Sequence, residues 1–187
     1  MAVPSTDALR LPLLTERLEI RPLTRHDVTS LCRIGGRPEV ARMMTSVPSP
    51  WPAEDARAWV EQSQWRGRLG FRLGICLRGG ELVGIVGMGG EPPTVAYFLD
   101  PAYWGQGMAT EAMRAFLDFC FRRFELAELF ADHFADNPGS GRVLRKLGYE
   151  EIGRGTAGSA GRTEEAENVE YRVTEAQFRA ALRSPDP

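Results

Sequence analysis

The sequence predicts a single mixed α/β domain, and three observations lead to that prediction. Apolar residues alternate with other residues over 71–78, which is typical of a strand, and they recur every three or four positions over 109–124, which is typical of a buried helix face. Strand-like and helix-like segments follow one another along the chain without an internal repeat. A chain of 187 residues can bury roughly two-thirds of its unfolded surface as one domain.

The first half of the domain is predicted to be a strand, two helices and an antiparallel meander. Residues 18–21 alternate apolar and charged side chains, and Thr24 with Asp27 forms a capping-box pattern at the start of a helix over 25–34. Apolar residues at helical spacing predict a second helix over about 53–65. The meander has strands at 71–78, 82–88 and 94–99, and Gly79-Gly80 is predicted to form a two-residue hairpin turn, since both glycines tolerate positive φ.

The second half is predicted to contain one long helix, a short helix and three strands. The buried face of the long helix comprises Ala109, Ala112, Met113, Phe116, Leu117, Cys120 and Phe124. The remaining elements are strands at 126–134, 149–152 and 169–173, with a short helix at 141–147 that Gly148 ends. Residues 153–168 are rich in Gly, Ala, Thr and Glu, which predicts a mobile loop. The domain would span 13–180, between flexible tails at 1–12 and 181–187.

Composition excludes several classes of protein. A net charge of -2 argues against a strongly electrostatic nucleic-acid binder. Cys32, Cys76 and Cys120 lie far apart without the spacing of metal ligands, so no metal is expected. The first 14 residues lack the apolar stretch of a signal peptide, and no run approaches the ~20 apolar residues of a membrane span. We therefore expect a cytoplasmic protein with no nucleic-acid or membrane partner; its oligomeric state is not predicted.

The most informative segment is a glycine-containing turn between Asp100 and Ala112. It leads into the long helix, where the first backbone N–H groups have no helical partner and the dipole favours negative charge. Gly105 and Gly107 let the backbone approach a ligand closely, which predicts a phosphate or pyrophosphate site. A tight connection that binds nothing has the same pattern. A Rossmann site is disfavoured because Thr110 stands where a third glycine is needed, and no Gly-Lys-Ser/Thr of a P-loop occurs.

Two segments, and more weakly a third, resemble one known family. The segment 103–112 (YWGQGMATEA) resembles the pyrophosphate-binding segment of the GNAT superfamily of acyl-CoA-dependent N-acyltransferases, with Gly107 and Ala109 at the small positions. Trp104 stands where the broad family pattern has Gln or Arg, and the branch most similar is that of the ribosomal-protein N-terminal acetyltransferases. The segment 137–149 (NPGSGRVLRKLGY) resembles a later motif of the family, and residues 13–22 are similar to its first strand.

This resemblance extends over about residues 13–173 and implies a fold. The expected architecture is a mixed, mostly antiparallel central sheet of about seven strands, flanked by about four helices. Two parallel strands, here 94–99 and 126–134, would be splayed apart to hold the cofactor. The expected cofactor is acetyl-CoA, with CoA as the product.

The resemblance also implies which residues bind acetyl-CoA. Backbone groups of Tyr97, Phe98 and Leu99 would bind the pantetheine arm, and one of their N–H groups would stabilise the oxyanion. Asn137 would also bind the arm, although Asn before Pro is a good helix start by itself. Ser140 would lie near the sulfur and help the thiolate leave, or it would be a solvated serine. The pyrophosphate would bind at the turn: Gly105, Gln106, Gly107, Met108, Ala109 and Thr110.

The proton acceptor for the amine has the weakest sequence signal. A protonated alkylamine has a pKa of ~10, so some group must take its proton. Thr94 stands where the family often has a glutamate, and Leu144 stands where many relatives have a tyrosine that serves as general acid. The candidates that remain are Glu91, before the third meander strand, and His133, near the end of the later strand. A lone histidine at a strand end is also a common structural hydrogen-bonding residue.

These observations predict an acetyl-CoA-dependent N-acetyltransferase that moves an acetyl group to a primary amine by direct attack on the thioester. A protein or peptide N-terminus and a small-molecule amine both stay open as the acceptor. Residues 43–51 and 153–168 would line the acceptor side, and Trp51, Trp59 and Trp65 suit either the core or an apolar acceptor. The alternatives are a catalytically weak acyl-CoA-binding or sensor module on the same fold, and a nucleotide-dependent oxidoreductase.

Overall fold

A computed structural model of the chain describes residues 10–183, which form one sheet with helices on both faces. The strands are β1 (Leu13–Leu14), β2 (Leu18–Pro22), β3 (Phe71–Leu77), β4 (Leu82–Gly89), β5 (Thr94–Leu99), β6 (Glu128–Phe134), β7 (Glu150–Ala157) and β8 (Ala166–Thr174). The helices are α1 (Val28–Gly35), α2 (Pro38–Ala41), α3 (Ala53–Gln62), α4 (Met108–Phe124), α5 (Pro138–Lys146) and α6 (Glu175–Ala181). The predicted tails lie largely outside the described residues, and Leu11 packs against the core.

The strands run in the order β1-β2-β3-β4-β5-β6-β8-β7, and only β5 and β6 pair in parallel. Their pairing is limited to Thr94 with Phe130 and Val95 with Ala131, after which the two strands separate. The mixed, mostly antiparallel sheet with a splayed pair is therefore confirmed. Within residues 10–183 the sheet has eight strands, where about seven were predicted, and the domain has six α-helices, where about four were predicted.

Two apolar cores lie on opposite faces of the sheet. The larger core packs α4 and α6 against one face, and the smaller core packs α1 and α3 against the other. Adjacent residues of β5 alternate between them, because Leu99 lies in the larger core and Phe98 in the smaller. Trp51 and Trp59 meet edge to face in the smaller core, and Trp65 packs on Phe71 in the larger one. No helix of the described residues is long and apolar enough to cross a bilayer.

The prediction of a mobile loop over 153–168 is wrong for half of that range. β7 continues to Ala157 and β8 begins at Ala166, so only the tip between them lies outside the sheet. The sequence pattern shows only the start of this strand, predicted at 149–152, because β7 is the edge of the sheet and exposes both of its faces to solvent. A strand without a buried face shows no apolar alternation. The tip itself packs against the end of α2, where Ser159 Oγ donates to the Met44 carbonyl at 2.7 Å and lies 3.1 Å from the Ala41 carbonyl.

Two further predictions need correction. Gly79 and Gly80 do not both take positive φ: only Gly79 does, at 66°, and the turn closes when Gly80 N–H donates to the Leu77 carbonyl. The long helix α4 also buries Phe119 and Phe121, outside the predicted face, while Ala109 and Phe124 are only partly buried. α6 causes part of this difference, since Phe178 stacks on Phe121 at 5.6 Å. The sequence signal for α6 is the capping box of Thr174 and Gln177.

Candidate active site

A cavity of about 700 Å³ occupies the gap where β5 and β6 separate. The glycine turn and the start of α4 border one end of it, and the first turn of α5 borders one side. The end of α2 and the residues after it, Met43 to Thr45, border the opposite side. The strand gap, the helix start and the two predicted motifs therefore meet in one place.

The turn before α4 exposes backbone donors to this cavity. Gly105 and Gly107 take φ of 72° and 76°, in the left-handed region that favours glycine. Gly107 is the N-cap of α4 and supplies no side-chain hydrogen bond, so the N–H groups of Met108, Ala109 and Thr110 have no helical partner. These residues line the cavity at the place where the sequence predicts an anion site.

A carboxylate and a guanidinium hold the turn in place from behind. Glu111 accepts hydrogen bonds from Thr15 Oγ1 at 2.6 Å, Arg17 N at 2.9 Å and Arg17 Nε at 2.6 Å. Burial raises the pKa of Glu111, but these hydrogen bonds outweigh that effect and the pKa is lowered. Arg17 Nη1 also donates to the Gln106 carbonyl at 2.8 Å. The side chain of Gln106 folds back onto Ala102 O, and Gln106 does not border the cavity.

Two residues of β5 direct backbone groups into the gap, rather than the three that were predicted. Asp100 N–H donates to Val83 O on β4, so the even-numbered residues of β5 direct their backbone groups toward β4. Tyr97 and Leu99 therefore face the gap, while the backbone of Phe98 is used in the β4 ladder. The Leu99 carbonyl already accepts from Trp104 Nε1 at 2.9 Å. The groups that face the gap are thus both backbone groups of Tyr97 and the N–H of Leu99.

The first turn of α5 brings Asn137 and Ser140 to the cavity. Asn137 is the N-cap, and its side-chain oxygen accepts from Ser140 N at 3.2 Å. Ser140 Oγ lies 2.8 Å from the hydroxyl of Tyr97, whose side chain comes from β5 on the same face of the sheet. Burial raises the pKa of Tyr97 to about 12, so the phenol is neutral at ordinary pH.

The two predicted base candidates lie in different surroundings. Glu91 is exposed in the turn before β5 and does not line the cavity. His133 is buried at the end of β6 and borders the cavity, but both ring nitrogens have neighbours. Nδ1 lies 2.8 Å from the Phe134 carbonyl, and Nε2 lies 3.4 Å from the Tyr171 hydroxyl, which accepts from Arg145.

Asp132 is a cavity residue that the sequence did not single out. It alternates with Ala131 and His133 along β6, so its carboxylate lies on the opposite face of the sheet from Ser140. It is exposed, borders the cavity and accepts a hydrogen bond from Asn168 Nδ2 at 3.2 Å. No motif marks an aspartate in the middle of a strand; its position at the gap follows only from the register of β5 with β6.

Three charged residues bridge the outer rim on the Asp132 side. Asp136 accepts from Arg42 Nη2 at 2.5 Å and from Arg162 Nη2 at 2.7 Å. The guanidinium of Arg162 stacks over Phe134 at 4.4 Å. This ionic bridge joins the end of α2, the start of α5 and the β7–β8 tip. Among its members, Arg42 and Asp136 border the cavity.

A gap between splayed parallel strands, with an uncapped helix start at one end, defines the class of acyl-CoA-dependent acyltransferases implied by the motifs. Residues 17–150 match the family described as "Acetyltransferase (GNAT) domain". That match covers most of the chain, so the chain belongs to the GNAT acetyltransferase family, and it is an acyltransferase.

Individual relatives agree with this assignment. The chain is 26% identical over 148 residues to an uncharacterized N-acetyltransferase, p20, from Bacillus licheniformis, which covers 75% of this chain and 83% of that protein. A GNAT-family acetyltransferase from Bacillus anthracis has a similar structure, with a TM-score of 0.74 and 24% identity over 88% of this chain and 98% of that one. Mycobacterium smegmatis RimJ, solved in complex with CoA-disulfide, has a TM-score of 0.73 and 21% identity over 89% of this chain and 87% of that one.

Proposed function

We propose that the protein transfers the acetyl group of acetyl-CoA to a primary amine. The observation that carries the proposal is the arrangement of the cavity, in which a helix start with unpaired N–H groups opens into a strand gap that has Ser140 on one face and Asp132 on the other. An N-acetyltransferase needs these three elements: a site for the cofactor phosphates, a position for the thioester, and a proton acceptor on the side of the amine.

The residues present fit acetyl-CoA along the whole cavity. The N–H groups of Met108, Ala109 and Thr110 would hold the pyrophosphate, because the glycines before them leave the approach open. Tyr97 and Leu99 would hold the pantetheine arm through backbone groups that no strand uses. Asn137 would contact the arm through its amide, since its carbonyl oxygen already caps α5. When bound, the cofactor would supply an activated acetyl group in the gap.

We infer that Asp132 accepts the proton of the acceptor amine. The carboxylate borders the gap on the face opposite Ser140, so an amine entering there would lie between Asp132 and the thioester. The amine nitrogen would first bond to the acetyl carbon while a backbone N–H at the gap holds the charge on the acetyl oxygen, and the C–S bond would then break with its electron pair going to sulfur. The amine proton passes to Asp132 and on to solvent, and the thiolate takes a proton from solvent.

His133 is the competing candidate for the base. The two residues differ in the hydrogen-bond neighbours of the atom that would take the proton. The Nε2 atom of His133 is directed toward the Tyr171 hydroxyl and toward Gly141 of α5, on the face away from Asp132. Asp132 accepts one hydrogen bond from Asn168 and is exposed to the cavity. An acceptor amine that enters on the Asp132 side therefore favours Asp132 as the base. Comparing kcat after replacement of each residue distinguishes the two candidates.

The acceptor is proposed to be slender: a flexible peptide N-terminus or a small-molecule amine. The ionic bridge of Arg42, Asp136 and Arg162 encloses the rim next to Asp132, so a broad protein surface would meet the bridge before its amine reached the gap. The tryptophans Trp51, Trp59 and Trp65 do not line the cavity, which leaves Met43, Met44 and Thr45 as the neighbours of an acceptor side chain.

An acceptor screen tests this function. We expect the protein to release CoA from acetyl-CoA in the presence of peptides with a free N-terminus or of small primary amines, and mass spectrometry to find one acetyl group on the acceptor amine. The matched control is each peptide with its N-terminus already blocked, which should give no release above background. Binding of acetyl-CoA without turnover on any acceptor would contradict the enzyme and support the sensor alternative.

A further inference from the structure

The side chain of Tyr97 makes a contact that the reaction as described does not use. Its hydroxyl oxygen lies 2.8 Å from Ser140 Oγ and 3.5 Å from the Ser140 carbonyl, and the residue is partly buried against the larger core. The two residues are 43 positions apart, so only the packing of α5 against β5 brings them together. The hydroxyl of Ser140 is also at the cavity wall, which makes it the outer member of a two-hydroxyl chain.

Distances and donor strengths favour one direction of this chain, because 3.5 Å to the Ser140 carbonyl is long for an O–H···O hydrogen bond and 2.8 Å to Ser140 Oγ is ordinary. Within residues 10–183, the oxygens of Ser140 are the hydrogen-bond partners of the buried Tyr97 hydroxyl. A buried O–H that donates to nothing is costly, and a phenol is a stronger donor than an aliphatic hydroxyl. The favoured arrangement therefore has Tyr97 donating to Ser140 Oγ. Ser140 then directs its own proton into the cavity, where the sulfur of a bound cofactor would lie.

We propose that Tyr97 is a positioning residue that fixes the Ser140 hydroxyl as a hydrogen-bond donor to the departing CoA thiolate. This inference rests on the proposed function and adds to it a specific orientation of Ser140. The thiolate keeps the electron pair of the broken C–S bond, and the Ser140 proton stays on Ser140 while it stabilises that charge. Tyr97 keeps its proton throughout. Its raised pKa agrees with this role, since the phenol stays neutral and remains a donor.

The test compares Ser140→Ala, Tyr97→Phe and the double variant. We expect Ser140→Ala to lower kcat roughly 10- to 100-fold and Tyr97→Phe roughly 3- to 10-fold, because each removes part of one charge-stabilising donor chain. Tyr97→Phe should have no further effect in the Ser140→Ala background, since the two act as one unit. Tyr149→Phe is the matched control: the Tyr149 hydroxyl is buried without a hydrogen-bond partner in the described residues, and its removal should leave kcat unchanged.

A second readout does not depend on turnover. The pKa of the thiol of bound CoA, followed by the ultraviolet absorbance of the thiolate against the protein alone, should be lowest in the unmodified protein and higher in both single variants. An unchanged thiol pKa in Tyr97→Phe, or full additivity of the two kcat effects, would overturn the role of Tyr97. Failure of the unmodified protein to bind CoA would instead reject the proposed function, whereas CoA binding with turnover that is insensitive to Tyr97 would reject only this inference.

Discussion

We expect the Asp132→Asn protein to bind acetyl-CoA with unchanged affinity and to transfer the acetyl group about 10²- to 10⁴-fold more slowly, the range that a positioned general base contributes. The substitution keeps the size of the side chain and an oxygen that can accept from Asn168, so the hydrogen bond at 3.2 Å has a replacement. The amide cannot take a proton at neutral pH. The measurement is kcat with the best acceptor from the screen, alongside the dissociation constant of acetyl-CoA.

Glu170→Gln is the matched control for the loss of a negative charge. Glu170 lies directly opposite Asp132 across β6 and β8, on the same exposed face, but it does not border the cavity. Its replacement should leave kcat within about twofold, as expected for an exposed residue outside the site. If Asp132→Asn retained full activity while His133→Gln lost it without loss of stability, the base would be His133 and the proposed role of Asp132 would be wrong.

The second large effect is expected at the helix start. Gly107→Ala should weaken acetyl-CoA binding by about 2–4 kcal/mol, or roughly 30- to 700-fold, by disturbing several hydrogen bonds to a charged group. An added Cβ meets only Arg17 Nη2, at 3.6 Å, but the residue would have to hold φ at 76°. That conformation costs an L-residue about 1–2 kcal/mol, so the turn should relax and the three N–H groups should no longer converge. Isothermal titration with CoA measures the effect.

Gly79→Ala separates lost binding from lost stability. Gly79 has a similar φ of 66°, open space around an added Cβ, and a place in the hairpin turn between β3 and β4. Both variants should lose a similar free energy of unfolding, but only Gly107→Ala should lose affinity for CoA. Equal CoA binding by Gly107→Ala and the unmodified protein would show that the start of α4 does not contact the pyrophosphate.

Most of the fold could be predicted because its signals are local. The capping box at Thr24, the glycine turn before α4 and the Asn-Pro start of α5 each specify their own conformation, and each lies where it was predicted. The continuation of β7 beyond residue 152 could not be predicted, because an edge strand exposed on both faces shows no alternation of buried and exposed residues. The burial of Phe121 in α4 depends on Phe178 of α6, more than 50 residues further along the chain, and that of Phe119 depends on Trp65 and Phe71, from the segment before α4.

The site divides in the same way. The residues proposed to bind the cofactor through the backbone could be selected from the sequence: Gly107 belongs to the glycine turn, and Leu99 follows from the family resemblance. Asp132 and the Tyr97 side chain could not, because their proposed roles depend on which face of a strand they occupy and on where β5 and β6 separate. Phe98 was selected with Tyr97 and Leu99 because the resemblance marks the strand end as a whole. It does not tell which of the three residues turns its backbone to the gap, and the backbone of Phe98 faces β4.

Binding of the cofactor is tested most directly by thermal unfolding of the unmodified protein with acetyl-CoA, CoA, NAD and ATP. A ligand that binds only the native state raises the free energy of unfolding by ~2.7 kcal/mol at one hundred times its dissociation constant. We predict a higher melting temperature with acetyl-CoA and CoA, no comparable rise with NAD or ATP, and loss of the CoA effect in Gly107→Ala. An unchanged melting temperature with both CoA species at millimolar concentration would contradict the assignment of the cavity between β5 and β6 as an acetyl-CoA site.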